Sequence, residues 1–296
     1  MSYAVQVDED AVAEVLIGSD KVHPEVADKR GRTPLSWAAE AGNVAMARLL
    51  INSGRVVVDS VDCNNQTPFS WAASAGHLEM IKLLLESGAV DPDSRDIYGQ
   101  TPLSHAAKWG TNSKQAEVIQ LLLDLSGVDP DSRDDAGMTP FSNAVVADNI
   151  MAARVLIDSG KIDPNSRDHG GRTPFYHAAN IGAADIVDLL LGYDDVDPNI
   201  RDDAGRTALT AAVLFGYGAV VKKLLQSSRV ADSDPKDKHG RTPLWWAARN
   251  NRVIVGEILL SHGGLDVEMR DDDGMSPLDI AIAHGCEGFV TLLRQQ

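Results

Sequence analysis

Residues 31–39, Gly-Arg-Thr-Pro-Leu-Ser-Trp-Ala-Ala, carry the pattern that decides the fold of this chain. A threonine hydroxyl can cap the start of a helix by accepting from a backbone N–H of the first turn. Proline suits the first helical position because its missing N–H would have no partner there. The paired alanines that follow are small enough to let neighbouring helices approach closely. The stretch therefore predicts a short helix that begins directly after Thr33.

This pattern, Thr or Ser followed by Pro and then Leu or Phe, occurs eight times along the chain. Its copies begin at Thr33, Thr67, Thr101, Thr139, Thr173, Thr207, Thr242 and Ser276. Successive copies are 34, 34, 38, 34, 34, 35 and 34 residues apart, and Ala208 replaces the proline in the sixth. Such a period predicts a stack of eight helix-turn-helix repeats that bury one continuous core.

Each repeat continues with a residue suited to a left-handed backbone and then a second helix. Gly76 stands at this point in the second repeat, while Asp148 and Asn251 replace glycine in the fourth and seventh. Apolar residues then recur at helical spacing, and turn-rich connectors such as Asp-Pro-Asp-Ser-Arg-Asp at 91–96 lead onward. The expected fold is all-α, a solenoid of helix pairs with projecting, β-hairpin-like loops.

We expect a single domain over residues 1–296. Residues 1–28 are predicted to form an N-terminal cap, because 11–28 look like the second half of a repeat. The four extra residues of the third repeat fall near 111–114, between its two helices. The eight repeats are predicted at about 29–61, 62–95, 96–133, 134–167, 168–201, 202–236, 237–270 and 271–296.

The stretch at 31–39 and its seven echoes resemble the ankyrin repeat. The Asp-Pro-Asp-Ser-Arg-Asp connectors and the Ser-Trp after Pro-Leu are similar to ankyrin arrays of filamentous fungi, including the tails of their nucleotide-sensing receptors. The resemblance implies a concave, protein-binding surface made of loop tips and first helices. It also implies an alternative in which the chain is the sensing tail of a larger receptor.

The charge balance narrows the choice of partner. Lys and Arg total 27 against 43 Asp and Glu, which gives a formal net charge of −16. This field repels phosphate backbones, so nucleic acid is not expected, and it favours a protein or extended peptide of basic character. The acidic Asp8-Glu9-Asp10 is wrong for a secretory signal, and no apolar run approaches the roughly 18 residues of a membrane span. We expect a cytoplasmic or nuclear protein without membrane insertion.

The common enzyme signatures are missing from the sequence. It has no phosphate-binding glycine loop of the Gly-x-x-x-x-Gly-Lys type, no His-Glu-x-x-His helix, no Cys-x-x-Cys pair and no Gly-x-Ser-x-Gly. The run Asp271-Asp272-Asp273-Gly274 suggests a calcium loop, but registering Gly274 as its sixth residue puts Met269 where the first acidic ligand belongs. We therefore predict no catalytic residue, no metal and no cofactor.

One column of residues, the second after each Pro-Leu pair, allows two interpretations. It runs Trp37, Trp71, His105, Asn143, His177, Ala211, Trp246 and Ile280. The column could form a groove that grips a partner, or it could pack between repeats, with Trp supplying apolar area and His a hydrogen bond. A further alternative is a small-molecule binder or atypical enzyme that uses the groove around His105, Asn143 and His177.

The most distinctive candidates for partner binding lie in the third and seventh repeats. The third combines Tyr98, His105, Lys108 and Trp109 beside the insertion, and exposed Trp and Tyr often carry binding energy. The full set of candidates adds Trp37, Trp71, His177, Arg172, Arg206, His239, Arg241, Trp245 and Trp246. Within it, Arg172, Arg206 and Arg241 follow loop glycines, a position that the ankyrin resemblance places toward the partner. By contrast, Arg95, Arg133, Arg167, Arg201 and Arg270 are expected to pair with nearby aspartates such as Asp96, Asp134 and Asp202.

Overall fold

The computed structural model describes residues 23–109 and 113–295, and within these ranges it contains sixteen helices and no strand. The helices form consecutive antiparallel pairs, so the expected all-α arrangement of helix-turn-helix repeats is confirmed. The chain divides into two compact units at Asp163 and Pro164, each holding four helix pairs. The predicted N-terminal cap lies outside the described residues except for 23–28, and the single-domain organisation stays a prediction.

The first unit holds the helix pairs of repeats one to four. They are α1 (Pro34–Ala41) and α2 (Val44–Asn52), α3 (Pro68–Ala75) and α4 (Leu78–Glu86), α5 (Pro102–Lys108) and α6 (Ser113–Asp124), and α7 (Pro140–Val146) and α8 (Ile150–Asp158). The first helices α1, α3, α5 and α7 pack side by side in one layer, and the second helices form the other. Alanines at the first layer, such as Ala72 and Ala106, are completely buried, which permits this close packing.

The second unit repeats the same two-layer arrangement. Its pairs are α9 (Pro174–Ile181) and α10 (Ala184–Leu191), α11 (Ala208–Phe215) and α12 (Gly218–Gln226), α13 (Pro243–Arg249) and α14 (Val253–His262), and α15 (Pro277–Ala283) and α16 (Glu287–Leu293). The layer of first helices runs α9, α11, α13 and α15, and that of second helices α10, α12, α14 and α16.

The predicted starts of the first helices are confirmed in all eight repeats, and the predicted ends in all but the third, whose Gly110 lies outside the described residues. The hydroxyl of each capping Thr or Ser accepts from the backbone N–H three residues on, as Thr67 does from Ser70 at 3.1 Å. Gly76 ends α3 with a φ of +76°, and the substitutes Asp148 and Asn251 hold φ values of +55° and +51°. Asn and Asp are the side chains that tolerate this region best after glycine.

The four extra residues of the third repeat mainly lengthen its second helix. α6 has 12 residues, whereas α4 has 9, and aligning Leu121 with Leu83 shows that α6 gains its extra turn at the N-terminal end. Residues 110–112 lie outside the described residues. α5 ends at Lys108, and Trp109 follows in an extended conformation, with φ −110° and ψ 138°.

Gly256 provides a test of the packing between α14 and α16. In a helix interior alanine is normally better than glycine by about 1 kcal/mol. A Cβ at this position would lie 2.5 Å from a ring carbon of Phe289, which is completely buried. We therefore expect Gly256→Ala to reduce the free energy of unfolding by about 1–3 kcal/mol in urea denaturation.

The matched control is Gly218→Ala at the first position of α12. Its Cβ would meet only the terminal methyl group of Ile258, at 3.1 Å. This variant should be neutral or slightly stabilised. If Gly256→Ala were as stable as Gly218→Ala, the close approach of α14 and α16 would be wrong.

Candidate functional site

An aspartate organises each projecting loop in the described part of the chain. In the fifth repeat, Asp168 Oδ1 accepts from the backbone N–H groups of Gly170 at 2.8 Å and Arg172 at 2.9 Å. The same two bonds recur at Asp28, Asp62, Asp96, Asp134, Asp202, Asp237 and Asp271. These bonds satisfy backbone donors that the tight turn would otherwise leave unpaired.

The second carboxylate oxygen of these aspartates binds the side-chain column that begins at Trp37. The donor lies nine residues after the aspartate in six repeats, at 3.0–3.3 Å. The donors are Trp37, Trp71 and Trp246 through Nε1, His105 and His177 through Nε2, and Asn143 through Nδ2. Trp, His and Asn can all occupy this position because each side chain offers an N–H group within hydrogen-bonding distance of the aspartate. Ala211 and Ile280 have no such donor.

The two histidines of the column are therefore structural donors in their own repeats. His105 and His177 are both buried, and each bonds its loop aspartate at 3.0 Å. Burial lowers the pKa of His177 more than the charge of Asp168 raises it, so the imidazole is neutral at pH 7. Burial opposes ionisation of Asp168, but hydrogen bonds from Arg172 and Gly170 keep the pKa of its carboxyl below the usual range. The Nε2 atoms are thus engaged rather than directed at a ligand.

The arginines that follow the loop glycines also have partners within their own repeats. Arg172, Arg206 and Arg241 each donate through Nε to the aspartate four residues earlier, at 2.8–2.9 Å. In the first repeat, Arg32 instead stacks between the rings of Trp37 and Trp71, 3.7 and 4.1 Å from their centroids, and pairs with Glu40. A partner that recruited Arg172, Arg206 or Arg241 would have to compete with these bonds.

The connector arginines also bond groups of this protein, but not the aspartates expected from the sequence. Arg95 donates to the carbonyl of Gly99 at 3.2 Å, and Arg201 to that of Gly205 at 2.9 Å. Ion pairs with aspartates do form, but with other partners than Asp96 and Asp202: Arg201 pairs with Asp232 at 3.7 Å, Arg167 with Asp203 at 3.3 Å and Arg270 with Asp279 at 2.8 Å. Asp96 and Asp202 are already engaged, because one oxygen of each accepts from the loop backbone and the other from His105 or Arg206, respectively.

A cleft of about 940 Å³ lies in the first unit, at the loops and first helices of repeats two to four. Three apolar side chains that face it are substantially exposed, namely Tyr98 at 62%, Trp109 at 52% and Val146 at 38%. Lys108 lies beside Trp109, with its Nζ 5.3 Å from the ring centroid. We call this surface the repeat-three cleft. Large exposed aromatic groups around a concavity are typical of recognition surfaces.

The rest of the lining of the repeat-three cleft includes polar side chains that are already hydrogen-bonded. His105 and Asn143 lie in it with their loop aspartates, Asp96 and Asp134, and Trp71 lies at the repeat-two side. Asp135 adds an exposed carboxylate at the loop tip. Burial opposes ionisation of Asp96, but hydrogen bonds from His105 and from its own loop hold the pKa of its carboxyl below the usual range.

The structure brings together five of the predicted binding residues, Trp71, Tyr98, His105, Lys108 and Trp109. Trp37 does not line the cleft. The other seven belong to the second unit, where Trp245 and Trp246 are buried and His239 is exposed. These seven are His177, Arg172, Arg206, His239, Arg241, Trp245 and Trp246. Sequence reasoning missed Asp135 and Val146. No pattern in repeat four distinguishes them, because their importance comes from facing Tyr98 and Trp109 of the preceding repeat.

Two further properties concern only the described residues. No three His, Cys, Asp or Glu side chains there are grouped so as to hold a metal ion. None of their helices is long and apolar enough to cross a membrane.

The sequence matches a protein-family model along its entire length. A family model described as ankyrin repeats (3 copies) matches residues 1–96, 88–168, 160–233 and 220–296. A 73-residue stretch is 36% identical to the 26S proteasome non-ATPase regulatory subunit 10 of Dictyostelium discoideum, covering 25% of this chain and 31% of that protein. The match therefore spans about a third of that relative's length. With its eight capped helix pairs and this end-to-end match, the chain belongs to the ankyrin-repeat family, whose arrays serve as protein–protein interaction modules.

Proposed function

We propose that this protein binds an extended peptide segment of a partner protein in the repeat-three cleft. The observation that carries the proposal is the exposure of Tyr98 and Trp109 at one cleft, whereas the aromatic and imidazole groups of the column bond loop aspartates. Side chains already engaged in a repeat stabilise that repeat. Side chains left exposed around a concavity are available to a partner.

Charge supports a basic partner. The net charge of −16 attracts cations over the whole surface, and Asp135 places an exposed carboxylate within the cleft. Lys108 is the counterbalancing cation, and it already lies against the ring of Trp109. An apolar side chain next to an Arg or Lys would fill the aromatic part of the cleft and meet Asp135.

The small-molecule or atypical-enzyme alternative is less well supported. The cleft volume of 940 Å³ is within the range of ligand cavities. Of the three residues that this alternative requires, however, only His105 and Asn143 line the cleft. His177 belongs to the second unit and bonds Asp168. The donor atoms of His105 and Asn143 also bond their own aspartates, so these two atoms are already engaged within their repeats.

Selection of a displayed random-peptide library on the full chain tests the proposal. We expect enriched peptides to combine an apolar residue with Arg or Lys, and their binding to weaken as salt rises, because part of the attraction is electrostatic. Enrichment of acidic peptides, or no enrichment after repeated rounds, would overturn it. A library of apolar but uncharged peptides is the control for the charge requirement.

The proteasome-subunit relative supports protein binding as the mode of action and does not by itself suggest a proteasomal partner. Its matched stretch of 73 residues corresponds to about two repeats, which is the part that ankyrin proteins share. A cytoplasmic location and a role as the sensing tail of a larger fungal receptor also stay proposals. An upstream nucleotide-binding domain in the same reading frame would support the receptor role.

A further inference from the structure

The connectors between repeats contain a second repeated hydrogen bond, on a different column from the loop aspartates. In the fourth repeat, Asn165 Oδ1 accepts from the backbone N–H of Asp197 at 2.8 Å, and its Nδ2 donates to the carbonyl of Asp195. In the fifth, Asn199 accepts from the backbone N–H of Ala231 at 2.8 Å and donates to the carbonyl of Arg229 at 2.9 Å. Each asparagine therefore joins its connector to the next by one accepted and one donated bond.

Aspartate occupies the equivalent position in four other repeats. The accepted bond is retained, because Asp59 accepts from the N–H of Asp91 at 3.2 Å and Asp131 from that of Asp163 at 2.8 Å. Asp93 and Asp234 accept in the same way from Asp129 and Asp266. The donated bond is missing in all four repeats.

The oxygen that replaces the asparagine Nδ2 has no partner at these four positions. Oδ1 of Asp59, Asp93, Asp131 and Asp234 is buried from solvent and makes no hydrogen bond. At both asparagines, the carbonyl that accepts from Nδ2 lies two residues before the backbone N–H that donates to Oδ1. The same offset places the carbonyl of Ala89 opposite Asp59 and that of Lys161 opposite Asp131. Two acceptor oxygens that face each other repel, and a buried acceptor without a partner is costly.

We propose that Asp59, Asp93, Asp131 and Asp234 are proton-binding sites of the folded array, whose protonated carboxyls donate to connector carbonyls as Asn165 and Asn199 do. A proton is the simplest ligand that turns an unpaired acceptor into a donor. Within the described residues, none of the four belongs to a cluster of three metal-ligating side chains. The proposal concerns the connectors and is independent of the repeat-three cleft.

The electrostatic surroundings of the four aspartates also favour the protonated carboxyl. Burial, followed by the charges of neighbouring aspartates, raises the pKa of all four carboxyls, to about 6 for Asp234. The charged groups that face them are Asp91 for Asp59; Asp91, Asp129 and Arg95 for Asp93; Asp129, Asp163 and Arg133 for Asp131; and Asp232, Asp266 and Lys236 for Asp234. The raised values mean that folding takes up protons. The resulting stability is fully present below the unfolded pKa of about 4 and is lost as the pH rises through the folded values.

The double variant Asp93→Asn/Asp131→Asn tests this proposal in the first unit. Its amides supply the missing donors at any pH, so we expect the midpoint of thermal unfolding at pH 7.5 to rise by roughly 2–4 °C per position. As the pH falls through the raised pKa values of the parent carboxyls, these become protonated, so the gain at pH 4.5 should be smaller than at pH 7.5. The control Glu86→Gln/Glu117→Gln removes the same charge from exposed positions of this unit, and its effect should not follow this pH dependence.

The reverse exchange in the second unit provides an independent check. Asn165→Asp/Asn199→Asp should lower the midpoint at pH 7.5 and recover most of the loss at pH 4.5. Equal shifts at both pH values in the two sets of variants would overturn the proposal, as would a gain matched by the Glu86→Gln/Glu117→Gln control. Direct titration of the aspartate carboxyl carbons by NMR should then give midpoints well above those of exposed aspartates.

Discussion

Replacing Asp168 with alanine is expected to destabilise the second unit by about 3 kcal/mol, the largest stability effect we predict for a single substitution. Its side chain is only 1% exposed and accepts four hydrogen bonds, from two backbone N–H groups, Arg172 Nε and His177 Nε2. Alanine leaves all four donors without their acceptor. Arg172 can turn to water, whereas buried His177 and the loop backbone cannot do so as easily.

Urea denaturation of the full chain measures this effect, and Asp203→Ala is its matched control. Asp203 is an exposed loop residue whose carboxylate meets Arg167 at 3.3 Å on the surface, so its loss should cost less than about 1 kcal/mol. Asp168→Asn keeps one acceptor for the loop backbone but turns an amide toward His177, and it should fall between the two. If Asp168→Ala and Asp203→Ala were equally stable, the loop aspartates would not organise the repeats.

The pH dependence of this variant follows from the lowered pKa of Asp168. A depressed carboxyl pKa contributes stability that is present above the unfolded value of about 4 and is lost as the pH falls through the folded value. The difference between the parent and Asp168→Ala should therefore persist from pH 7 to pH 5 and shrink only in stronger acid. This trend is opposite to that expected for the connector carboxyls.

The double variant Tyr98→Ala/Trp109→Ala is expected to weaken peptide binding by about 100-fold or more. Both side chains are more than half exposed in the free protein, so their removal should leave the fold intact. In the complex they would supply the apolar contact area of the repeat-three cleft, and the loss of two aromatic anchors at an interface commonly costs about 3 kcal/mol or more. Calorimetric titration with a selected peptide measures the change.

Phe215→Ala serves as the control for the loss of exposed aromatic area. Phe215 is 44% exposed in the second unit and does not line the cleft. This variant should bind the peptide like the parent. If Phe215→Ala weakened binding as much as the double variant did, the partner would be using a broader apolar surface than the cleft.

The fold could be predicted almost completely from the sequence because its determinants are local. Thr67 and Pro68 specify where α3 begins, Gly76 where it ends, and the same pattern recurs at a fixed period. Even the exceptions were predictable, since Asp148 and Asn251 are the residue types that accept a positive φ. A repeat needs contact only with its neighbours, so local patterns largely decide the architecture.

The candidate site was predicted only in part, because its geometry depends on residues from adjacent repeats. Tyr98 and Trp109 were identified as exposed residue types, but Asp135 and Val146 acquire their role only by facing them. The role of His105 was detectable in principle, since an aspartate precedes the Trp, His or Asn of the column by nine residues in six repeats. The spacing alone does not reveal that the aspartate is buried and close enough to bond.

Hydrogen–deuterium exchange of the full chain, with and without a saturating selected peptide, tests the central claim most directly. It reports where the partner lies without altering any side chain. Binding in the repeat-three cleft predicts slower exchange at residues 96–109 and 134–147, with little change in α13 and α15. Protection confined to the second unit, with residues 96–109 unaffected, would contradict the assignment of the cleft as the binding site.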